Sequence, residues 1–130
     1  MATPNIVGVS TITGITTAVN VATLPTTFVS NASGTNRVLK INSIMVSNVD
    51  GTSSADVSVK YHPDGIVATP GATGAGTSLS LAHTISVAAD STLVLLDRAS
   101  SMYLQENACI VSYASAASDL DLICSYEIIE

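Results

Sequence analysis

Hydrophobic and polar residues alternate with a period of two along most of the chain, and turn-forming residues separate the alternating stretches. The clearest example is a strand at residues 37–48, a turn at 49–54 and a second strand at 56–62, where Val57 and Val59 alternate with polar residues. This period turns one face of a strand inward and the other into water. The turn holds Asp-Gly followed by Thr-Ser-Ser, which is typical turn chemistry. We therefore predict that the two strands form a β-hairpin.

The same alternation predicts strands along the rest of the chain. They lie at residues 5–13, 16–23, 26–30, 77–87, 92–96, 101–104, 108–114 and 120–129. Gly14 is expected to end the first of them, and Ala82-His83 marks an expected bend in the strand at 77–87. The continuous apolar run at 92–96 predicts a strand covered on both faces. Residues 63–77, interrupted by Asp-Gly, Pro-Gly and Gly-Ala-Gly, predict a long surface loop.

Strands that recur about every 8–12 residues with turns between them are typical of an all-β sandwich or barrel. No window has a convincing helical period. We predict a single domain with an antiparallel β-sandwich of about eight strands and a jelly-roll-like topology. Residues 1–35 carry no charge and form an N-terminal arm or strands, and residues 36–130 form the body. The arm could pair with a neighbouring subunit by strand addition, or it could be an ordinary pair of sandwich strands.

Charged residues make up only 11% of the chain and hydrophobic residues 47%, so hydroxyl groups carry much of the polar surface. A dissolved monomer usually carries more charge than this, which indicates a surface that contacts a partner. The net charge is −6, and the four basic residues, Arg37, Lys40, Lys60 and Arg98, are scattered. Nucleic-acid binding needs a basic cluster, or aromatic residues for base stacking, and aromatics are only 4%. We therefore expect no nucleic-acid partner.

The chain has no apolar run that approaches the roughly 20 residues of a membrane-spanning helix. The start of the sequence has no basic segment followed by an apolar one, so it shows no secretory signal. We expect no membrane association.

The candidates for chemistry are few and isolated. His62 and His83 could bind a metal with Asp64, but their spacing fixes no geometry, and two surface or rim histidines are the favoured interpretation. Asp119 and Asp121 could bind Ca²⁺ weakly, or they could be solvated carboxylates at a strand end. No nucleophile elbow is present. We therefore predict no catalytic, cofactor-binding or metal-binding residues, and no enzyme activity.

The two cysteines match no zinc or redox motif. Cys109 and Cys124 lie on consecutive predicted strands that could pair as a hairpin, which would bring the two thiols close together. Two buried free thiols are the favoured interpretation, and a disulfide is the alternative.

The order of strand motifs resembles a known family. The motifs are the strand at residues 38–48, Asp56-Val57-Ser58-Val59, and residues 85–96, 102–108 and 119–127, and the start of the chain at residues 1–7 is similar too. Together they resemble the small β-sandwich virion proteins of tailed bacteriophages, particularly phages of marine cyanobacteria. The motifs are strand patterns without fixed functional residues, so the resemblance implies a role and no site residues.

The resemblance implies a structural protein of the virion, assembled in the host cytoplasm. Its first expectation is an oligomeric capsid decoration protein, a cement that buries surface between subunits, with the major capsid protein or other virion proteins and further copies of itself as partners. A tail, neck or fibre-associated protein of the same kind of particle is the alternative. A carbohydrate-binding module is a more distant alternative, because such sites use exposed aromatics and this chain has no Trp and one Phe.

Overall fold

The computed structural model describes residues 6–65 and 77–130, and within them nine β-strands form two antiparallel sheets. The strands are β1 (Ile12–Asn20), β2 (Thr26–Asn31), β3 (Val38–Asn48), β4 (Ala55–His62), β5 (Leu79–Val87), β6 (Thr92–Leu96), β7 (Met102–Leu104), β8 (Ala108–Ala114) and β9 (Leu120–Ile129). Single 3₁₀ turns occur at Ile6–Gly8 and Arg98–Ser100. The predicted antiparallel β-sandwich is confirmed.

The strand order is that of a jelly roll. One sheet has five strands in the order β1-β9-β3-β6, with β7 also paired to β3, and the other has four in the order β2-β8-β4-β5. When the short β7 is set aside, eight strands remain: the first pairs with the last, the second with the seventh, the third with the sixth and the fourth with the fifth. These pairs are therefore nested along the sequence, as in a jelly roll.

The core lies between the two sheets and is built from alternate residues of each strand. Ile44 and Val46 of β3 and Leu122 of β9 cover it from the five-stranded sheet, and Val57 and Val59 of β4 cover it from the four-stranded sheet. All five side chains are fully buried. Burying a side chain of this size contributes roughly 1.5–3 kcal/mol, so these residues are a main source of stability.

The prediction of a hairpin between residues 37–48 and 56–62 is wrong. Both strands exist, but β3 belongs to the five-stranded sheet and β4 to the four-stranded sheet. Residues 49–54 cross from one sheet to the other instead of turning back within one. Alternation and turn chemistry fix where the strands begin and end, but they do not select the partner strand. Here β3 pairs with β9, β6 and β7, which lie far away in the sequence.

A buried asparagine holds this crossing in place. Asn48 Nδ2 donates hydrogen bonds of 2.9 Å to the carbonyl oxygens of Ser53 and of Val87, and Asn48 Oδ1 accepts one of 2.9 Å from the Asp50 N–H. Val87 ends β5 in the four-stranded sheet, whereas Asn48 ends β3 in the five-stranded sheet. The Asn48 amide therefore ties the two sheets together where the chain changes from one to the other.

A second buried asparagine does the same at the preceding crossing, between β2 and β3. Asn31 Nδ2 donates to the carbonyl oxygens of Arg37, at 2.9 Å, and Leu104, at 3.1 Å. Asn31 ends β2 in the four-stranded sheet, and Leu104 ends β7 in the five-stranded sheet. The carboxylate of the buried Glu106 accepts hydrogen bonds from the N–H groups of Gly34 and Asn36 in the same loop. Each change of sheet on either side of β3 thus depends on a buried amide.

The first strand differs from its predicted position. Residues 6–8 form a 3₁₀ turn, and β1 starts at Ile12 and passes through Gly14 without interruption. Every residue of β1 from Ile12 to Asn20 is paired in register with β9, so the ladder of backbone hydrogen bonds outweighs the weak strand preference of one glycine.

Two further expectations about pairing and burial are wrong. β8 and β9 lie in different sheets, so the strands that carry Cys109 and Cys124 form no hairpin. β6 is not covered on both faces, because it lies at the edge of the five-stranded sheet and Val94 is 56% exposed. The expected bend in β5 is confirmed: its pairing with β4 shifts register near Ala82, and Thr84 has a φ of +47°.

The predicted loop at 63–77 lies largely outside the described residues, which omit 66–76. At its base, Asp64 Oδ1 accepts a hydrogen bond of 2.9 Å from the Thr77 N–H. This bond joins the two ends of the segment.

Removing the Asn48 amide should destabilise the protein strongly. Asn48→Ala leaves the buried Val87 carbonyl oxygen and partly buried backbone groups of Ser53 and Asp50 without their partner, and we expect the free energy of unfolding to fall by about 2–3 kcal/mol. Chemical denaturation measures this. The control is Ser47→Ala, which removes only a partly exposed hydroxyl bonded to Thr92 and should cost about 0.5 kcal/mol or less. Equal losses in the two variants would contradict the role given to Asn48.

Candidate functional site

The outer face of the five-stranded sheet carries a row of apolar side chains that crosses four strands. The pairing register places Ala18, Ile123, Met45 and Val94 side by side, on β1, β9, β3 and β6 in turn. Ile123 is 39% exposed and Val94 is 56% exposed. We call these four residues the apolar row. Because they lie on the face opposite the core, nothing in the sandwich requires them to be hydrophobic.

Polar residues flank the apolar row on both sides. They are Thr16, Ser125 and Ser43 on one side, and Asn20, Asp121, Ser47 and Thr92 on the other. Several of them bond to one another: the Thr16 and Ser125 hydroxyls are 3.1 Å apart, and Asn20 Nδ2 donates to Asp121 Oδ1 at 2.9 Å. Groups that already satisfy each other can be covered by a partner at a lower desolvation cost than groups bonded only to water.

A groove of about 470 Å³ lies beside the apolar row. It is lined by Lys40, Asn42, Ser43, Met45, Val94, Leu96, Asp97, Arg98 and Glu127. Asp97 is already engaged, because its Oδ1 accepts hydrogen bonds from the N–H groups of Ala99 and Ser100. The groove therefore combines an apolar wall with charges of both signs, a lining that suits a partner's side chain.

The two histidines lie in different environments. His83 is exposed, as expected of a surface residue, but His62 is only 3% exposed, so the expectation of a surface or rim position is wrong for His62. His62 lies opposite Cys109 in the pairing of β4 with β8. In the part of the chain that the structure describes, its Nδ1 has no hydrogen-bond partner. Desolvation lowers the pKa of His62 below its usual value near 6.5, and the nearby Lys60 lowers it further.

The two acidic candidates lie at the start of β9, Asp121 within it and Asp119 directly before it. The Asp121 carboxylate accepts the Asn20 side-chain hydrogen bond, whereas Asp119 accepts a hydrogen bond of 2.7 Å from the Val49 N–H through its backbone carbonyl oxygen. Within residues 6–65 and 77–130, no group of three or more His, Cys, Asp and Glu side chains is placed to hold a metal ion. In the same residues, no helix is long and apolar enough to cross a membrane.

Both cysteines are buried, and neither is joined in a disulfide within the described ranges. Cys124 faces the core from β9, and burial raises the pKa of its thiol to about 12. Cys109 is on β8 in the other sheet, where its Sγ donates to the Gly65 carbonyl oxygen at 3.5 Å. The favoured interpretation of two buried thiols agrees with these positions.

Comparisons with known proteins give a likeness of fold. No protein-family model matches the chain, and no curated protein matches it. Among solved structures, the chain is similar to one from the Bacillus endospore appendages, which are described as forming a novel family of disulfide-linked pili. The TM-score is 0.50 with 12% sequence identity, over 99% of this chain and 96% of that one. The two chains share the fold of a β-sandwich over nearly their whole length.

The apolar row is the feature that sequence reasoning missed. Its four members are far apart in the sequence, and Met45, Val94 and Ile123 each lie between two other apolar residues. Only the register of β1, β9, β3 and β6 brings them together, and that register cannot be deduced from alternation alone. A partial signal existed, since Ile123 and Val94 occur at positions where strict alternation would place polar residues.

Protonation of His62 should make stability depend on pH. Because the pKa of His62 is lower in the folded state than in the unfolded state, the unfolded chain binds more protons between these two values. Stability from this residue is therefore complete above about pH 6.5 and falls as the pH decreases toward the lowered pKa. We expect the denaturation midpoint to rise between pH 5 and pH 7 (approximate limits set by the usual histidine pKa).

The test variant for this effect is His62→Gln, and its matched control is His83→Gln. The first should flatten the pH dependence in that window, whereas the second changes an exposed residue and should keep it. An unchanged profile in His62→Gln would exclude His62 as the cause.

The buried thiols should resist modification in the folded protein. We expect a water-soluble maleimide to label neither Cys109 nor Cys124 at neutral pH within the time that labels a small free thiol completely, because the maleimide needs an accessible thiolate. After denaturation both cysteines should react, as intact mass would show. Rapid labelling of the native protein would disprove the buried placement.

Proposed function

We propose that the chain is a non-enzymatic structural subunit that acts by burying its surface against other polypeptides. The observation that carries this proposal is the apolar row, four aligned hydrophobic side chains on the solvent face of a sheet. A chain with so few charges has little to keep such a face in water. The polar residues beside the row bond to one another, which lowers the cost of covering them.

The likeness to a solved structure supports a role in assembly. The structure that shares this fold is described as coming from appendages that form pili, and a jelly roll with an unpaired outer face suits assembly in general. We therefore propose that this chain also associates with copies of itself, and that it is located outside the cell or on a particle. The disulfide linkage described for those pili is not part of the proposal, because both cysteines of this chain are buried.

At a finer level, we propose a bacteriophage capsid decoration protein, assembled in the host cytoplasm and located on the virion. This step rests on the resemblance of the strand motifs to small virion proteins, and the major capsid protein is the proposed partner. A tail, neck or fibre-associated position on the same kind of particle is the second candidate. A carbohydrate-binding module is less well supported, because Tyr103 is the only exposed aromatic side chain among the described residues.

The exchange of residues 1–35 between subunits stays a prediction. In the structure, β1 pairs with β9 and β2 pairs with β8 of the same chain. An exchanged arm would make the same two pairings with a neighbour, so the described contacts are compatible with either arrangement.

A charge placed in the apolar row should strongly weaken attachment to the assembly. Ile123→Lys puts an ammonium group at the centre of the row, and we expect its attachment to particles to fall at least tenfold, because a partner would have to desolvate the charge. Co-sedimentation with particles that lack the protein measures attachment. The control is Leu79→Lys, on β5 of the other sheet, where the side chain is also exposed and should tolerate the change. Full attachment of Ile123→Lys would refute the proposed face.

The location on the particle separates the two finer candidates. Labelled protein on the head would support the decoration role, and label on the tail or neck would support the alternative. Failure to bind any particle, together with a specific hit in a glycan screen, would favour the carbohydrate-binding alternative.

A further inference from the structure

β1 leaves one side of its backbone without a partner in the described part of the chain. On its other side, Thr11 and Glu130 exchange two backbone hydrogen bonds, and the Val21 N–H donates to the Leu120 carbonyl oxygen. Because hydrogen-bonded pairs alternate along an antiparallel ladder, the odd-numbered residues of β1 bond to β9. The even-numbered residues therefore direct their N–H and C=O groups to the open edge. They are Ile12, Gly14, Thr16, Ala18 and Asn20.

The other sheet edges in the described residues carry features that discourage pairing, and β1 carries none. β2 has a register shift near Phe28, and β5 has two shifts and a residue with positive φ. The far edge of the five-stranded sheet is divided between β6 and β7, with a 3₁₀ turn between them. β1, in contrast, is nine residues long, has no charged residue or proline, and pairs with β9 without any shift. Natural proteins usually protect such an edge.

We propose that β1 pairs antiparallel with β1 of a second copy about a two-fold axis at Thr16. This deepens the self-association proposed above, and it requires no particle. Thr16 would face Thr16 of the other copy, Gly14 would face Ala18, and Ile12 would face Asn20. In this register all five open-edge residues form hydrogen-bonded pairs, whereas a slip by two residues loses one of these pairs at each step. The two five-stranded sheets then become one continuous sheet.

The side chains suit this register. On the outer face, the small residues Gly14 and Ala18 meet, and a Cβ atom added to Gly14 has no heavy atom of the chain within 4 Å, so the position is open. On the inner face, Ile15 meets Thr17 and Thr13 meets Val19, which are β-branched pairs that pack well across strands. Ile15, Thr17 and Val19 are only half-buried in one chain, so pairing covers exposed apolar surface. No like charges meet, because β1 has none.

Cysteine crosslinking tests the contact and its register together. On mild oxidation, Thr16→Cys should form a dimer of twice the 13.2 kDa chain mass, since facing Cα atoms in such a pair are about 5.5 Å apart. Asn20→Cys is the control on the same strand, because the axis places the two copies of residue 20 far apart. It should not crosslink with itself, but a mixture with Ile12→Cys should give the mixed dimer. Oxidation of the unsubstituted protein shows whether Cys109 or Cys124 forms any crosslinked dimer.

Substitutions at the axis test whether the backbone makes the contact. Thr16→Pro removes an N–H that points away from β9, so the ladder within the chain is retained while the ladder between copies is broken. Thr16→Lys places two like charges opposite each other. Both substitutions should raise the dimer dissociation constant at least tenfold in sedimentation measurements, whereas Thr16→Val should leave it unchanged. Thermal unfolding shows whether each variant is folded. If Thr16→Pro is not folded, the result with Thr16→Lys alone tests the β1 contact.

The outcomes separate this interface from the proposed function. A monomer at all concentrations, with no crosslink in Thr16→Cys, overturns the interface. Equal crosslinking of Thr16→Cys and Asn20→Cys overturns the register. If Thr16→Lys does not weaken the dimer, the contact lies elsewhere on the chain. That result would support self-association but refute the β1 edge as the interface. Loss of particle attachment in Ile123→Lys would still support the structural role in each of these cases.

Discussion

The buried amides of Asn31 and Asn48 support the arrangement of this sandwich. The chain changes sheets on both sides of β3. At each change, an asparagine that ends a strand of one sheet donates a side-chain hydrogen bond to a backbone carbonyl group of the other sheet, Asn31 to Leu104 and Asn48 to Val87. Hydrophobic burial holds the sheets together, but it has no direction and would tolerate other connections. A buried amide must have its partners, so it favours the one arrangement that supplies them. The crossings then place β3 between β9 and the β6–β7 edge.

That placement determines the surface available for function. With β9 and β3 in the centre of the five-stranded sheet, Ile123 and Met45 become neighbours, and Ala18 and Val94 extend the row to both edge strands. The same topology makes β1 an edge strand whose even-numbered backbone groups have no partner strand among the described residues. The face and the edge are different kinds of surface. A partner on the outer face would contact side chains, whereas a partner strand at the edge would form backbone hydrogen bonds with β1. One subunit can therefore use both at once.

The buried residues with reactive side chains fit a structural role in this fold. Cys124 contributes to the core, and Cys109 and His62 lie opposite each other on neighbouring strands of the other sheet. The acids Asp97, Glu106 and Asp121 each accept hydrogen bonds from backbone or side-chain groups of the chain itself. Assembly in the disulfide-linked manner described for the structurally similar pili would need an accessible thiol. Surface burial and strand pairing need none.

The sequence by itself determined the class of fold and the position of most strands, because alternation and turn residues are local properties. It identified β4 and β9 closely, since most of their apolar residues recur at every second position. It did not determine which strands pair: the expected hairpins, β3 with β4 and β8 with β9, are separated between sheets. Nor could it reveal the burial of His62 or the apolar row. Partner choice, register and burial arise from packing between distant segments, and only the tertiary structure brings those segments together.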